Sequence, residues 1–375
     1  MRLSLIIPTL AAGGAERVLA VLANEWAEHG HTITLVTVGS RVDDRQPLHP
    51  AINRVALDMM RASATAAQAL GNNWVRVKRL RAEIRRSRPD AVISFLSSTN
   101  VLTLAATRAM GTPVIVAERI DPRAEPISRF WAATRRLLYP RADAVVVQTS
   151  DAGEWAAQFL PAKKVHVIPN PVAKPRADAD PVARSTHRPA WLKGPNRRVF
   201  AAGRLAPQKG FDILLRAFAL CRAEHPDWSL VIFGEGDERG RLEALAAELG
   251  VEGAVTLPGH VPDAARVFPY GDLFVLSSRY EGFPNALLDA MICGLPVIAT
   301  DCPSGPRQII RHGVDGLLVE PDSVDDLHAA MHQLMTLPDL RHRLGSRAVD
   351  VRERFSVPCV MRQWNALLDR TRHQI

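Results

Sequence analysis

The chain has 375 residues, 47% of them hydrophobic and 23% charged, a balance that excludes disordered, collagen-like and coiled-coil classes. Its length points to two or three domains. Lys and Arg outnumber Asp and Glu by 47 to 39, and the net charge of +8 favours anionic partners.

Apolar runs such as 3–7 and 144–147 fall far short of the ~20 residues of a membrane-spanning helix. No basic segment followed by an apolar run and a cleavage site is seen, so secretion is not expected. Cys221, Cys293, Cys302 and Cys359 form no Cys-x-x-Cys pair, which suggests neither a zinc site nor a disulfide framework and fits a reducing cytoplasm.

In chain order, residues 3–8 are a short apolar run closed by a turn. Residues 16–28 carry helical spacing through Val18, Leu22 and Trp26, and 31–38 alternate as a strand. Residues 91–95, 114–117 and 144–147 are further apolar runs, each followed by a predicted helix. Strands alternating with helices imply a parallel, doubly wound sheet. The pattern stops near residues 165–171. Pro169, Pro171, Pro175, Pro181, Pro189 and Pro195 then mark a linker. The alternation restarts at 198–202 and continues with strand-like runs at 230–233, 273–276 and 296–299. The expected organisation is an N-terminal domain over 1–169, a linker over 170–195, a C-terminal domain over 196–355 and a final helix within 356–375. Two such α/β halves create a cleft, and ligands of open α/β sheets bind beyond the carboxyl ends of the strands.

Three loops at such ends hold candidate chemistry. Gly13 and Gly14 follow the first strand and open a helix, where a backbone can approach a phosphate and the helix start favours an anion. Gly203-Arg204-Leu205, with Lys209-Gly210 after it, follows the first strand of the second half. Arg offers a bidentate contact and Lys a point charge for a diphosphate; solvated loop charges are the plainer alternative. Residues 281–289, Glu-Gly-Phe-Pro-Asn-Ala-Leu-Leu-Asp, follow the strand at 273–276. The amides of Asn285, Ala286 and Leu287 would be helix-start donors. Glu281 and Asp289 could hold hydroxyls at two levels of one ligand, or be a capping carboxylate and an exposed helical acid.

Taken together, these loops resemble the GT-B glycosyltransferases of the family 4 type, which transfer sugars from nucleotide-sugar donors with retention. Further landmarks run in the same order: Ile168-Pro169-Asn170-Pro171-Val172, Gly294-Leu295-Pro296-Val297-Ile298-Ala299-Thr300 and Asp315-Gly316-Leu317-Leu318-Val319. The resemblance spans residues 13–319. It implies two Rossmann-like domains facing a central cleft, with acceptor binding in the first and donor binding in the second. The last helix, near 357–372, would cross back to the first domain. It also implies that Arg204 and Lys209 meet the donor diphosphate and that Glu281 contacts the transferred sugar. Asp289, in place of a Glu, would reach for the ribose. Gly13 and Gly14 would approach the phosphates, Val261 beside His260 would flank the base, and Gly282 and Phe283 would belong to the donor stretch. No metal or other cofactor is implied. Two departures stand out: Arg119 occupies the place of a His found in many relatives, and Gln308 that of an acid.

The acceptor side is suggested by residues 76–88, where seven basic side chains face one acid, Glu83. On a helix, Lys78, Arg81, Arg85 and Arg88 share a face beside Val77, Leu80 and Ile84. Bacterial members of the resembled family build glycans on undecaprenyl diphosphate. A lipid diphosphate at the anionic inner face of the cytoplasmic membrane would suit that stripe, although charge runs are also common on plain solvated faces. Residues 130–139 suggest a second interfacial element or an ordinary buried helix. Asp178-Ala179-Asp180 imitates a metal motif inside the linker, and His328 and His332 lie four apart without a third ligand in the sequence.

The function expected is retaining transfer of a hexose or N-acetylhexosamine from a nucleotide-sugar, of the UDP type, to a lipid-diphosphate-linked saccharide. No nucleic-acid partner is expected. The alternatives are a sugar-nucleotide epimerase on the same fold and a non-catalytic nucleotide-sugar-binding protein. A dehydrogenase is disfavoured because Gly-x-Gly-x-x-Gly is missing after the first strand.

Overall fold

The computed structural model describes residues 1–60, 64–123, 127–172, 192, 197–261 and 266–372. The chain divides into two compact units, one of Met1–Pro171 with Val357–Ile375 and one of Val172–Ser356. Most of the stretch 170–195, with Asp178 and Asp180, lies outside the described residues.

In the first unit the strands are β1 (Arg2–Ile7), β2 (Thr32–Thr37), β3 (Asn53–Ala56), β4 (Ala91–Phe95), β5 (Val114–Ala117), β6 (Ala144–Val147) and β7 (Val165–Val167). They form a sheet in the order β3-β2-β1-β4-β5-β6-β7, parallel throughout. The helices between them are α1 (Gly14–Glu28), α2 (Ala66–Ser87), α3 (Ser97–Ala106), α4 (Arg129–Leu138) and α5 (Ser150–Ala157). Central strands read as continuous apolar runs because both sheet faces are covered. Successive side chains then go to opposite cores: Leu5, Ile7 and Ile93 to one, Ile6 and Val92 to the other.

The second unit repeats the plan. Its strands are β8 (Arg197–Ala202), β9 (Trp228–Phe233), β10 (Val255–Gly259), β11 (Leu273–Leu276), β12 (Val297–Thr300) and β13 (Leu317–Val319), in the parallel order β10-β9-β8-β11-β12-β13. Its helices are α6 (Phe211–Glu224), α7 (Arg239–Glu248), α8 (Asn285–Ile292), α9 (Pro306–Ile309), α10 (Val324–Thr336), α11 (Pro338–Ala348) and α12 (Val351–Phe355). Val199 and Ala201 face one core and Phe200 the other.

The last helix, α13 (Val357–Arg372), belongs to the first unit. Val360, Met361, Trp364, Leu367 and Leu368 join the core of Leu3, Leu5 and Trp26. The Trp364 ring meets Trp26 edge-on at 6.1 Å and stacks near Phe95 at 6.2 Å, and Trp26 Nε1 donates to Asn365 Oδ1 at 2.8 Å. Among the described residues, no helix is long and apolar enough to cross a membrane.

The doubly wound α/β architecture expected from the alternation is therefore present in both units. Four strands carried no clear signal in the sequence: β3, β7, β10 and β13.

Candidate active site

The carboxyl ends of β8, β11 and β12 bring together three loops of the second unit. After β8 the chain passes through Gly203 and the exposed Arg204 into a single tight turn, Pro207–Lys209, and then into α6. Gly210 joins turn and helix with φ +59°, a conformation glycine adopts without strain. A Cβ there would fall 2.1 Å from the carbonyl oxygen of Ser277, so the two loops close only around a glycine. Gly203 serves the same end, because the aliphatic stem of Lys209 lies across it.

Lys209 Nζ reaches Glu281 Oε1 at 2.5 Å, and Ser278 Oγ donates to the same oxygen at 2.6 Å. Glu281 is only 5% exposed. Residues read from the sequence as a phosphate contact and a sugar contact thus form one ion pair, its carboxylate buried and its ammonium half-buried. Its desolvation cost is offset only because the charges meet and the carboxylate gains a hydroxyl donor. Arg204 has no ion pair among the described residues and is open to an incoming anion.

Residues that the sequence reading passed over hold this pair in place. Arg279 Nη1 donates to the Pro207 carbonyl at 2.6 Å, and its two Nη groups grip both oxygens of Asp212 at 3.0 and 2.9 Å. Its Nε faces Asp322 at 2.7 Å. Burial alone would raise the Asp212 carboxyl, but the Arg279 guanidinium prevails and holds it below the usual range. Ser277 Oγ donates to the Lys209 carbonyl at 2.9 Å, and Thr300 at the end of β12 bonds the Ser278 carbonyl. A run of two serines and an arginine just before Glu281 was the available signal. Cys302 lies near the pair, and burial, then the Glu281 charge, pushes its thiol up to about 12, so it stays protonated.

The Glu281–Asp289 stretch departs from expectation in three places. Asp289 is buried at 8% exposure, not an exposed helical acid. Phe283 points into the core, edge-on to Phe355 at 5.5 Å, so its ring is a packing group. The Leu287 amide is closed onto the Pro284 carbonyl at 3.2 Å, which removes it from the helix-start donors. Gly282 is buried, Asn285 and Ala286 open α8 half-buried, and Val261 is partly buried beside the exposed His260.

In the first unit, Gly13 caps α1 with extended backbone. The Glu16 carboxylate arches over it, so that a Cβ on Gly13 would fall 2.0 Å from Glu16 Oε2, and Thr9 Oγ1 donates to Glu16 Oε1 at 3.2 Å. The helix start beside Gly14 is thus already faced by an acid, as its dipole favours.

Arg119, which the sequence reading placed on the acceptor side where many relatives carry a His, follows β5 and is buried. It is 5% exposed, its guanidinium lies 3.8 Å over the Phe95 ring and 5.9 Å from that of Trp364, and Nη1 donates to Asn170 Oδ1 at 3.1 Å. Gln148 shares that oxygen at 2.6 Å, while Arg119 Nε and Nη2 have no partner among the described residues. Burial lowers this guanidinium to about 9, which leaves it charged at neutral pH. The neighbouring Glu118 accepts from Ser97 Oγ at 2.7 Å and from the Tyr139 hydroxyl, with Arg135 at 3.7 Å. Arg135 itself sits 4.4 Å over Trp155. Residues 130–139 are buried in part and exposed in part. Arg135, Leu138 and Tyr139 are buried, whereas Phe130 and Leu137 are 53% and 67% exposed.

The basic stripe is only partly free. Lys78 and Arg85 are exposed on α2, but Arg81 Nη1 donates to the carbonyls of Ala106 at 2.6 Å and Arg108 at 2.8 Å, tying α2 to the end of α3. Arg88 lies just past the helix with φ 45°. The exposed face also carries Leu70 and Trp74, four residues apart and then four from Lys78, whose Nζ sits 3.4 Å over the Trp74 ring.

Comparison with known proteins shows the family and the fold. Residues 12–174 match the model described as Glycosyltransferase Family 4, and residues 184–350 that of Glycosyl transferases group 1. An α-1,4-N-acetyl-D-galactosaminyltransferase of Campylobacter jejuni, named for an undecaprenol-diphosphate-linked substrate, is 26% identical over 98% of this chain and 98% of its own length. The amylovoran biosynthesis glycosyltransferase AmsD of Erwinia amylovora is 26% identical over 96% of each. An exopolysaccharide phosphotransferase of Streptomyces coelicolor is 34% identical over 61% of this chain, which spans only 23% of that longer protein. Among solved structures, sucrose-phosphate synthase of Thermosynechococcus elongatus superposes with a TM-score of 0.85 at 19% identity, covering 99% of each chain. Anabaena HepE in complex with UDP gives 0.78 at 19% identity, over 98% of this chain and 100% of that one. The fold is GT-B.

Proposed function

From the premise that this chain belongs to the glycosyltransferases of group 1 and family 4, we propose that it moves a hexose or N-acetylhexosamine from a UDP-type nucleotide-sugar, with retention, to a lipid-diphosphate-linked saccharide. The part-buried Lys209–Glu281 pair, with the exposed Arg204 in the same loop after β8, carries this reading. A cation already fixed at the strand ends, with a second one open, stabilises negative charge as a nucleoside diphosphate leaves, without reorganising at the moment of reaction. Glu281, held by Lys209 and Ser278, meets the hydroxyls of the departing sugar, and Asp289 meets the ribose. In same-face attack a leaving-group oxygen takes the acceptor's proton.

The acceptor half of the reading draws on the first unit. Lys78, Arg85 and Arg88, with Leu70 and Trp74 beside them, suit a lipid diphosphate and the anionic membrane surface around it, at ~1 kcal/mol per basic residue. Arg119 acts there as a positioning residue through Asn170. The Campylobacter relative, named for an undecaprenol-diphosphate substrate, supports the acceptor class, and the HepE complex with UDP the nucleotide. The protein works on the cytoplasmic face of the membrane without spanning it.

The test is incubation of the purified chain with a panel of nucleotide-sugars, with and without a short polyprenyl-diphosphate saccharide. The expected result is a product one sugar longer, of α configuration from an α-linked donor, formed only with acceptor. Conversion of the donor alone into an epimer would instead identify an epimerase. Binding without turnover of any donor–acceptor pair would leave a nucleotide-sugar-binding protein.

A further inference from the structure

A second cluster of chemically capable side chains lies at the far end of α6 from the Lys209 turn, about 20 Å away along a helix of 14 residues. There the C-terminal Glu224 and its following cap residue His225 face His328 and His332 of α10. The two helices are locked by the core between them. Leu214, Leu215, Phe218 and Cys221 of α6 pack with Leu327, Ala330, Met331 and Leu334 of α10, and Cys221 Sγ donates to the His328 carbonyl at 3.8 Å. His328 and His332, four apart, project from one face of α10.

Three of these side chains lie close enough for one ion to reach all of them. A carboxylate oxygen of Glu224 and one imidazole nitrogen from each of His328 and His332 all lie within 4.8 Å of one another. His332 Nδ1 is 3.7 Å from Glu224 Oε1 and 3.2 Å from His225 Nε2. A tetrahedral zinc ion with bonds near 2.0–2.1 Å sets its ligand atoms about 3.3–3.4 Å apart, so these two separations already bracket the edges of such a tetrahedron. An independent observation points the same way: His328 Nε2 is buried and has no hydrogen-bond partner among the described residues. A buried imidazole nitrogen without a partner is costly unless something binds it.

We propose that Glu224, His328 and His332, with His225 beside His332, form a site for a zinc-class divalent transition metal that fastens the C-terminal end of α6 to α10. Two imidazoles and one carboxylate select zinc, cobalt or nickel over magnesium and calcium, which prefer oxygen ligands. Because the site braces the helix opposite its catalytic end, its role is structural: the metal stabilises the second unit and takes no part in sugar transfer.

The experiment uses the full chain without a histidine tag, freed of metal by chelation and dialysis. Titration with Co²⁺ should raise the visible absorption bands of tetrahedral cobalt, saturating at one ion per chain, and Zn²⁺ should displace it. Zinc should also raise Tm, because it binds the folded state, while Mg²⁺ and Ca²⁺ leave it unchanged. His328→Ala/His332→Ala should abolish the cobalt spectrum and the zinc-dependent rise in Tm. Glu224→Gln, at an exposed position that does not threaten folding, should weaken binding by at least about tenfold. A wild-type chain that gives no cobalt spectrum and no zinc shift overturns the proposal. Tetrahedral cobalt that persists in the double variant, or an affinity unchanged in Glu224→Gln, overturns it equally.

Discussion

The two units share one winding order and treat charge at their strand ends in opposite ways. In the second unit, Lys209 and Glu281 meet at the ends of β8 and β11, and Arg204 stays open beside them. In the first, Arg119 after β5 is sunk between Phe95 and Trp364, and Arg135 lies over Trp155 against Glu118. The first unit instead displays its free cations on an outer helix, α2, beside exposed Leu70 and Trp74. The same fold thus supports an ion pair and an exposed cation at the strand ends of one half and an aromatic–cation brace in the other. Topology places strand ends together, and the side chains there decide their use.

The sharpest way to break this contrast is at Lys209. Lys209→Ala should lower kcat/KM by about 10²-fold or more, as for loss of a leaving-group stabiliser. It should also cost about 3–5 kcal/mol of stability, because Glu281 is left buried and unpaired. Adding Glu281→Gln should return much of the stability and none of the activity, as followed by thermal unfolding and steady-state kinetics. Arg204→Ala, at an exposed position, should lose activity with little change in Tm. Equal Tm values for Lys209→Ala and Arg204→Ala would show that the pair is not the structural unit described above.

The brace differs from the ion pair in what it tolerates. Arg119→Ala should destabilise by about 2–5 kcal/mol, the range for emptying a buried long side chain. Arg119→Met keeps the packing and removes the buried charge, so it should hold or raise Tm. A large loss of stability in Arg119→Met would show that the Asn170 bond, not the aromatic stacking, is what matters. Neither variant should alter the affinity for free UDP measured by calorimetry.

The smallest expected effects lie on α2. Lys78→Gln/Arg85→Gln/Arg88→Gln should weaken binding to anionic liposomes by at most about 3 kcal/mol, at ~1 kcal/mol per charge. It should raise the acceptor KM while sparing donor affinity and Tm, since exposed charges contribute little to folding. Wild-type liposome binding should fall as salt is added. Adding Arg81→Gln should cost stability as well, because that side chain holds the end of α3. Liposome binding unchanged in the triple variant would reduce the stripe to a solvated face.

What the sequence determined by itself was the interior. β4, β5, β6 and β11 were legible to the residue because strands covered on both faces must be apolar throughout. The loop motifs at Gly203, Lys209 and Glu281 were visible as glycines and charges beside strand ends, where solvated loop charges or a capping carboxylate read as well, and it was their joint resemblance to one family that gave them roles. The four strands that went unread, β3, β7, β10 and β13, are the outermost strands of the two sheets. They are largely half-exposed, so burial on both faces does not demand a continuous apolar run of them. Tertiary structure alone decided which charges meet. Lys209 and Glu281 stand 72 residues apart, and His225 and His332 stand 107 apart. Such pairings depend on how crossover helices and strand ends fall together in space, and neither composition nor local spacing encodes that. The same holds for Arg119, whose burial follows from the return of α13 to the first sheet.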